Sequence, residues 1–206
     1  MYRALPLLMG WDFGLTPAVI FGQMTPRGQL RIIDELVAED MGIASFVENV
    51  VKPHLTNHYN GMKLISDGDP AGNSRAQTDE DTCLDVLKRH GILTQSARTN
   101  NFIARRESVV WFLSRMIDGQ PGFLLSPQCR TLRKGFNGGY RYRRLQVPGE
   151  ERFTDEPDKN RFSHPMDGLQ YLCLRQQIPA DIKKKSTAGT RGSRDTHGPA
   201  DSRSGY

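Results

Sequence analysis

Near its start, the chain has an apolar stretch in which polar and apolar residues do not alternate. Residues 7–16 hold a single carboxylate, Asp12, and turn at Gly14, which predicts a short strand buried on both faces. Residues 17–24 and 29–37 predict two more strands, and the Thr-Pro-Arg-Gly sequence between them is typical of a tight turn. Together these segments predict a three-stranded antiparallel meander.

Apolar residues at helical spacing predict three helices after the meander. Residues 43–59 form the first, and Pro53 inside this stretch predicts a kink or an end. The second and third helices are predicted at residues 81–90 and 104–117.

Short apolar runs and a basic segment complete the pattern. The remaining elements are brief strands at 61–66, 92–93 and 123–125, a basic helix at 127–135, a hairpin at 140–153 and a final helix at 165–178. Pro165 suits the first turn of that final helix, and Ser163 or His164 can cap it.

This order of elements predicts an α/β fold. We expect a mixed sheet that combines the antiparallel three-stranded meander with parallel strands and carries helices on both faces. No linker divides residues 1–178, which are therefore predicted to form one domain. Residues 179–206 are polar and rich in Gly, Ser, Thr, Lys and Arg, and they are predicted to form a basic disordered tail.

Composition argues against a disulfide-rich, zinc-binding or membrane-spanning protein, but it does not identify a binding partner. Three cysteines stand far apart, which argues against a disulfide framework or a zinc site and favours a reducing compartment. No apolar run approaches the length of a membrane span, and Pro6, Gly10 and Asp12 interrupt any signal-peptide core. The net charge is +5, but the tail has six basic and three acidic residues, so the body carries only about +2. Charge alone therefore does not establish a nucleic-acid partner.

A lone carboxylate in a buried strand is the first indication of a functional site. Burying Asp12 without a partner would be costly, and a cation is the simplest compensation. Asp67 and Asp69 are expected just past the end of another strand, and Asp167 is expected in the first turn of the last helix, three residues after His164. Carboxylates from three elements, together with one imidazole, suit a pair of Mg²⁺ or Mn²⁺ ions about 4 Å apart. Such a pair activates water against a phosphodiester.

Each of these residues also has an ordinary structural explanation. Asp12 can be an ion-pair partner, and Asp67 and Asp69 can simply shape their loop. Asp167 suits a helix N-terminus whatever the function, and His164 can be only a cap. The order and the contexts of the residues, taken together, favour the metal site over these separate explanations.

Three patches of the sequence contain these acids: Gly-Trp-Asp-Phe-Gly at 10–14 with Thr-Pro-Ala at 16–18, Gly-Asp-Pro-Ala-Gly at 68–72, and Lys-Asn-Arg-Phe-Ser-His-Pro-Met-Asp-Gly-Leu-Gln-Tyr-Leu at 159–172. Together they resemble the nuclease domain of the large terminase subunit of tailed bacteriophages, which has an RNase H-like fold. The last patch is the most specific. The family typically has Ser-His-Pro, one residue, then Asp-Ala-Leu-Gln-Tyr, and Gly168 replaces the usual alanine here. The resemblance covers roughly residues 7–175.

The resemblance implies metal-dependent endonuclease cleavage of concatemeric double-stranded viral DNA during genome packaging, in the cytoplasm of a bacterial host. It implies Mg²⁺ or Mn²⁺, as two ions, for the cofactor. The residues that match the family's positions are the metal-binding catalytic acids Asp12, Asp69 and Asp167, the assisting His164, and Asp67 as a second choice. The portal, the small terminase subunit and an ATPase domain are the partners that the resemblance implies.

A complete large terminase also has an ATPase motor, and the sequence lacks the motif for it. That motor needs a phosphate-binding glycine loop followed by Lys and Ser or Thr. Residues 10–16 are the nearest match, and they lack the lysine. We therefore predict that this chain cuts DNA without pumping it, either as an excised domain or as the product of a split or truncated gene.

Basic side chains beside aromatic ones indicate where DNA would lie. If residues 140–145 form a strand, two arginines share one face and two tyrosines share the other. The candidate DNA-binding residues are Arg130, Arg133, Lys134, Arg141, Arg143 and Lys159. A solvated hairpin face explains the hairpin arginines equally well, and Arg105 and Arg106 are expected to be surface charges. The sequence has no recognition helix or finger motif, so we expect contacts to the DNA backbone and little sequence readout.

Three rival interpretations remain at this point. Residues 12–16 faintly match the first phosphate loop of sugar-kinase and actin-like proteins, but no second phosphate loop is present and the chain is short for two lobes. Another RNase H-like nuclease, of resolvase or transposase type, would prefer branched DNA. A non-catalytic DNA-binding packaging module would bind DNA in the presence of a chelator and cleave none.

Overall fold

The structure of the chain is a computed structural model that describes residues 1–74, 81–145 and 151–177. Within it, Met1–Gln176 form one compact unit. The middle of the predicted hairpin, residues 146–150, and the predicted tail at 179–206 lie outside the described residues. None of the helices in the described part of the chain is long and apolar enough to cross a membrane.

Strand β1 (Leu7–Asp12) lies inside a mixed six-stranded sheet, and all six of its residues are buried. Strand β2 (Ala18–Met24) pairs antiparallel with β1. Strand β3 (Leu30–Val37) pairs antiparallel with β2. The predicted strand buried on both faces and the predicted antiparallel meander are therefore confirmed.

Parallel strands extend the sheet on both sides of the meander. Strand β4 (Leu64–Gly68) pairs parallel with β1, and β5 (Thr94–Ser96) pairs parallel with β4. Strands β6 (Met116–Ile117) and β7 (Gln120–Pro121) form a separate small ribbon. Strand β8 (Phe123–Leu125) pairs parallel with β3, which gives the order β5-β4-β1-β2-β3-β8.

Helices cover both faces of the sheet, as the sequence pattern predicted. One face packs on α1 (Ile43–Phe46), α2 (Lys52–Tyr59) and α3 (Cys83–Arg89). The other face packs on α4 (Phe102–Leu113), α5 (Arg130–Lys134) and α6 (Ser163–Gln176). Alternation along β1 supplies both cores, because odd-numbered residues from Leu7 to Trp11 face the first set of helices and Leu8 faces the second.

Helix α6 crosses β1 at a point where neither element has a side chain. A methyl group on Gly10 would lie 2.2 Å from the Gly168 carbonyl oxygen and 2.6 Å from Leu172 Cβ. A methyl group on Gly168 would lie 3.0 Å from the Gly10 carbonyl oxygen. The glycine pair therefore sets how closely the helix approaches the strand, and hence where the polar residues at the start of α6 stand.

Pro53 neither ends the predicted helix nor breaks it. A π-helical segment (Val47–Val51) joins α1 to α2, and Pro53 occupies the first turn of α2. Proline lacks the N–H that an α-helix would use at this point, and the wider turn accommodates its ring. The helical path from 43 to 59 is thus continuous.

Three other predicted boundaries are wrong. The strand predicted at 61–66 continues as β4 to Gly68, so Asp67 lies inside the strand instead of past its end. The brief strand at 92–93 is found instead at 94–96, and the helix predicted to reach 117 ends at Leu113. Parallel partners on both sides of β4 supply the hydrogen bonds that keep an Asp-Gly pair in a strand.

A two-stranded hairpin stands beside the main sheet. It consists of β9 (Tyr142–Leu145) and β10 (Arg152–Pro157), paired antiparallel with an irregular register. Strand β10 continues to Pro157, four residues past the predicted end of the hairpin at 153. The hairpin leads directly into the segment before α6.

Candidate active site

Asp12 is the last residue of β1, and its side chain lies on the face covered by α6. His164, in the first turn of α6, meets it there, with 2.9 Å between His164 Nδ1 and Asp12 Oδ2. His164 is therefore a helical residue and not the cap of the helix. This hydrogen bond joins two residues that are 152 positions apart in the sequence.

Asp167 is buried one turn further along α6, and cations approach both of its oxygens. Arg105 Nη1 donates to Oδ1 at 3.0 Å, and Lys159 Nζ donates to Oδ2 at 2.7 Å. The Tyr140 hydroxyl donates to Oδ1 at 3.4 Å. The carboxylate is therefore held from α4, from the segment before the hairpin and from the segment after it.

Asp69 follows β4 and lies beside the end of β1. Its N–H donates to the Trp11 carbonyl oxygen at 3.2 Å, which places it next to the residue that precedes Asp12. Its carboxylate accepts the Ala71 N–H at 2.9 Å and so begins a short 3₁₀ turn. Burial raises the pKa of Tyr171 on α6, and the nearby carboxylate of Asp69 raises it further. Asp69 thus lies between the end of β1 and α6.

Asp67 is buried within β4, level with Gly10 of β1. Arg175 Nη1, from the last turn of α6, donates to its Oδ1 at 2.9 Å. Burial raises the pKa of Asp67, and Arg175 opposes that rise. This carboxylate therefore already has a cationic partner, which the sequence pattern did not indicate.

The environment of Asp12 opposes its negative charge. Burial is the largest cause that raises the pKa of this carboxyl group, and the charge of Asp167 raises it further. The hydrogen bond to His164, and the charges of His164 and Lys159, lower it. Asp12 and Asp167 are therefore close enough to repel each other, which is a reason for a cation to bind between them.

The donor chemistry of this cluster fits a hard divalent cation, although its side chains are held by other partners. Buried carboxylate oxygens that repel each other are the ligands such an ion prefers. Within the residues that the structure describes, no three His, Cys, Asp or Glu side chains are placed to hold a metal ion together. Lys159 and Arg105 occupy the oxygens of Asp167, and His164 occupies one oxygen of Asp12.

Four of the five predicted site residues lie in one region of the fold. Asp12, His164 and Asp167 meet at the carboxyl end of β1, and Asp69 lies beside this end of β1, just past the end of β4. The fifth, Asp67, is turned toward Arg175. Of the side chains that contact Asp167, Lys159 was predicted only as a DNA contact, and Arg105 and Tyr140 were not predicted as part of a site.

The prediction that Arg105 is a surface charge is wrong. Arg105 is buried on the inner face of α4, whereas Arg106 is exposed and donates to the Tyr142 hydroxyl at 3.1 Å. A signal for this burial is present in the sequence. Phe102, Arg105, Val109 and Phe112 follow helical spacing and all are buried, so the arginine continues an apolar stripe.

The basic residues predicted to contact DNA are on the surface. Arg141 and Arg143 are exposed, while Tyr140 and Tyr142 are partly buried, which is the alternation that the sequence predicted. The α5 residues Arg130, Arg133 and Lys134 are exposed as well. Lys159 differs from the others, because its stem is exposed and its ammonium group contacts Asp167.

Comparison with known proteins places this fold among phage nuclease domains. The structure is similar to the nuclease domain of the large terminase g2p from bacteriophage SPP1, crystallised with bound Mn (TM-score 0.53, 20% identity, 84% of this chain and 87% of that chain). It is also similar to the large terminase nuclease from thermophilic phage G20c, crystallised with bound cobalt (TM-score 0.51, 12% identity, 85% of this chain and 82% of that chain). No protein-family model and no curated protein matches the sequence.

At these identities the likeness concerns the fold. The chain has the fold of large terminase nuclease domains, and the predicted mixed sheet of RNase H-like type is confirmed. The resemblance that the motifs suggested is thus confirmed at the level of architecture.

Proposed function

We propose that this chain is a metal-dependent endonuclease that hydrolyses phosphodiester bonds of double-stranded, concatemeric viral DNA during genome packaging. The observation that carries the proposal is that Asp12, at the carboxyl end of a buried strand, meets His164 and Asp167, of which His164 is 152 positions away in sequence. The metal-bound nuclease domains that share this fold support the same activity.

The proposed ligands are the carboxylates of Asp12, Asp69 and Asp167, with His164 beside them. When bound, two Mg²⁺ or Mn²⁺ ions would activate a water molecule and stabilise the leaving oxygen of the phosphodiester. Asp67 is the weaker candidate, because it lies within β4 at the level of Gly10 and Arg175 holds its carboxylate there, away from the carboxyl end of β1.

The side chains around the acids have distinct tasks in this proposal. Arg105 holds Oδ1 of Asp167 from the buried side of α4 and so fixes the direction of that carboxylate. His164 does the same for Asp12 through its hydrogen bond to Oδ2. Preorganised groups of this kind need no rearrangement when charge develops during the reaction.

The proposed DNA path follows the exposed basic residues. These are Arg130, Arg133 and Lys134 on α5, Arg141 and Arg143 at the hairpin, and Lys159 after it. The Tyr140 hydroxyl contacts Asp167, so the start of the hairpin lies next to the acids. Such contacts would bind phosphates with little dependence on sequence.

The assembly around this nuclease is part of the proposal. The chain would work in the bacterial cytoplasm with an ATPase domain, the portal and the small terminase subunit. In this assembly the ATPase domain would drive translocation of the DNA that the nuclease cuts.

Cleavage of supercoiled plasmid tests the proposal. With Mn²⁺ or Mg²⁺ we expect nicked and linear products, and EDTA should abolish them. Asp12→Ala should lower the rate about 100-fold or more, since it removes a charged group at the reacting centre. Circular dichroism would verify that the variant is folded.

Glu48→Ala, which removes an exposed carboxylate from the helical segment on the opposite face of the sheet, is the matched control and should cleave like the wild type. A fully active Asp12→Ala enzyme would contradict the proposal. Preferential cleavage of four-way junctions would indicate a resolvase instead. DNA binding without cleavage by any metal would indicate a non-catalytic module.

A further inference from the structure

Two cations contact Asp167 in the described part of the chain, and they differ in how they are held. The Arg105 side chain is 8% exposed, and its guanidinium lies 4.9 Å from the centre of the Tyr171 ring. The Lys159 side chain is 71% exposed, and only its ammonium group reaches the buried carboxylate. Arg105 is thus a permanent part of the core, whereas Lys159 enters the site from solvent.

Each cation takes a different oxygen of Asp167. Arg105 holds Oδ1 at 3.0 Å, and Lys159 holds Oδ2 at 2.7 Å. A metal ion that used Asp167 as a ligand while Arg105 stayed in place would need Oδ2. That oxygen is the one from which Lys159 can withdraw at little cost, because a lysine with an exposed stem regains its hydration in water.

The charge balance of the cluster also favours an exchange of Lys159 for a metal ion. Lys159 acts on Asp12 as well as on Asp167, so its single positive charge partly offsets two buried carboxylates. If the ammonium leaves, both carboxylates lose this compensation at once. A divalent ion would then restore the balance.

We propose that Lys159 is an internal counter-cation, which occupies the metal-binding oxygen of Asp167 and must be displaced when the divalent ion binds. This inference rests on the proposed function, because it assumes that the acids are metal ligands. Lys159 is therefore a positioning residue: it keeps the metal-free site electrically balanced and lowers the affinity for the ion.

The place to which the displaced ammonium would move links this exchange to DNA. Lys159 follows Asp158, whose N–H donates to the Arg141 carbonyl oxygen at 2.9 Å. The lysine is thus attached to the base of the basic hairpin, where a DNA phosphate can accept its charge. A phosphate that binds the ammonium favours the metal-ready state, and by reciprocity the metal favours DNA binding.

Calorimetric titration of Mn²⁺ into the DNA-free protein tests the proposal. Lys159→Gln should bind Mn²⁺ about fivefold more tightly than the wild type, the ratio that corresponds to removing one partly exposed ion pair. Its metal-free form should melt at a lower temperature, because the carboxylates have lost a counter-charge. Lys159→Arg, which keeps the charge, should retain an affinity near that of the wild type.

Arg161→Gln is the matched control for a general change of charge. Arg161 is exposed, two residues from Lys159, and its guanidinium lies over the Phe162 ring. We expect this variant to change Mn²⁺ affinity much less than Lys159→Gln does. An equal effect of the two variants would reduce Lys159 to one of many surface charges and would overturn the proposal.

Two other results would also overturn it, and one result separates it from the proposed function. Unchanged Mn²⁺ affinity in Lys159→Gln, with weaker DNA binding, would make Lys159 a DNA contact alone. Weaker Mn²⁺ binding would make it a group that supports the metal. If neither the wild type nor Lys159→Gln binds Mn²⁺, the proposed metal-dependent function itself fails, and this inference with it.

Discussion

The burial of Asp12 makes the stability of the fold depend on pH. Burial, and after it the charge of Asp167, raises the pKa of Asp12 above the ordinary aspartate value of 3.8 despite the opposing hydrogen bond to His164. The folded state therefore holds the proton of Asp12 more tightly than the unfolded state does. The resulting stability is fully present below pH 3.8 and is lost as the pH rises through the raised pKa.

We predict that Asp12→Asn stabilises the metal-free protein at pH 7. Asparagine keeps the shape and can still accept the His164 hydrogen bond, but it carries no charge to bury. The melting temperature should rise by roughly 2–4 °C, the shift that 1 kcal/mol gives in a domain of this size. The gain should shrink as the pH falls toward 3.8, where aspartate itself becomes protonated.

Asp155→Asn provides the control for this prediction, because Asp155 is an exposed carboxylate on β10. It should leave the melting temperature unchanged at both pH values. A lower melting temperature for Asp12→Asn at pH 7 would mean that the charge of Asp12 stabilises the apo fold, contrary to the argument from burial.

The sequence indicated the acids of the site better than their partners. Asp12 and Asp167 stand out because each is a charged residue in an apolar or helix-start context. The partners Arg105 and Arg175 come from other elements, so only the tertiary fold reveals which carboxylate each one meets. Arg105 could have been recognised as buried from its place in an apolar helical stripe, but its partner could not.

The crossing of α6 over β1 is the element-level feature that positions these residues. Gly10 and Gly168 face each other where the helix backbone meets the strand. The site residues His164 and Asp167 lie on the turns of α6 just before this crossing. A displacement of the helix by even one methyl group would therefore move the ligands away from Asp12.

We predict that Gly10→Ala destabilises the protein by about 3 kcal/mol, at the upper end of the usual cost of overpacking. The added methyl group would lie 2.2 Å from a helix carbonyl oxygen, which cannot rotate away as a side chain can. Gly168→Ala should cost less, since its methyl group would lie 3.0 Å from the nearest atom. Urea denaturation measures both changes.

Gly42→Ala is the control for the loss of a glycine. Gly42 has φ −69° and no atom within 4 Å of the position that a methyl group would take. Alanine there restricts the unfolded chain but is a poorer N-cap for α1 than glycine, so the unfolding free energy should change by less than about 1 kcal/mol. A Gly10→Ala variant as stable as Gly42→Ala would show that the helix can shift without cost.

Local pattern predicted the meander and the helices but misplaced several of their ends. Asp67 and Gly68 discourage a strand on their own, yet β4 includes both because β1 and β5 flank it. The helix at 43–59 continues past Pro53 because a π-helical segment precedes the proline, and the spacing of apolar residues does not predict that segment. In each case a tertiary or backbone adjustment overrides the intrinsic preference of the residue.

At the scale of the whole molecule, the hairpin beside the acids presents exposed positive charge to solvent. The hairpin presents Arg141 and Arg143 to solvent, and the tyrosines that alternate with them anchor its base. A protein that binds DNA through phosphates releases counterions, so its affinity falls steeply with salt. The number of phosphate contacts can therefore be read from the salt dependence of binding.

We predict that the double variant Arg141→Gln/Arg143→Gln weakens binding to any duplex and reduces the slope of log K against log salt by about 1.8, or 0.9 for each lost phosphate contact. Fluorescence anisotropy over a range of KCl concentrations, with EDTA present to prevent cleavage, measures this slope.

The control is Lys52→Gln/Lys63→Gln, which removes the same charge from two other exposed positions. Lys63 precedes the first residue of β4 whereas the acids lie at its far end, and Lys52 begins α2 on the opposite face of the sheet, so that pair should leave the slope unchanged. Equal losses for the two double variants would mean that DNA responds to net charge alone, and the hairpin would then have no special part in guiding the duplex to Asp12 and Asp167.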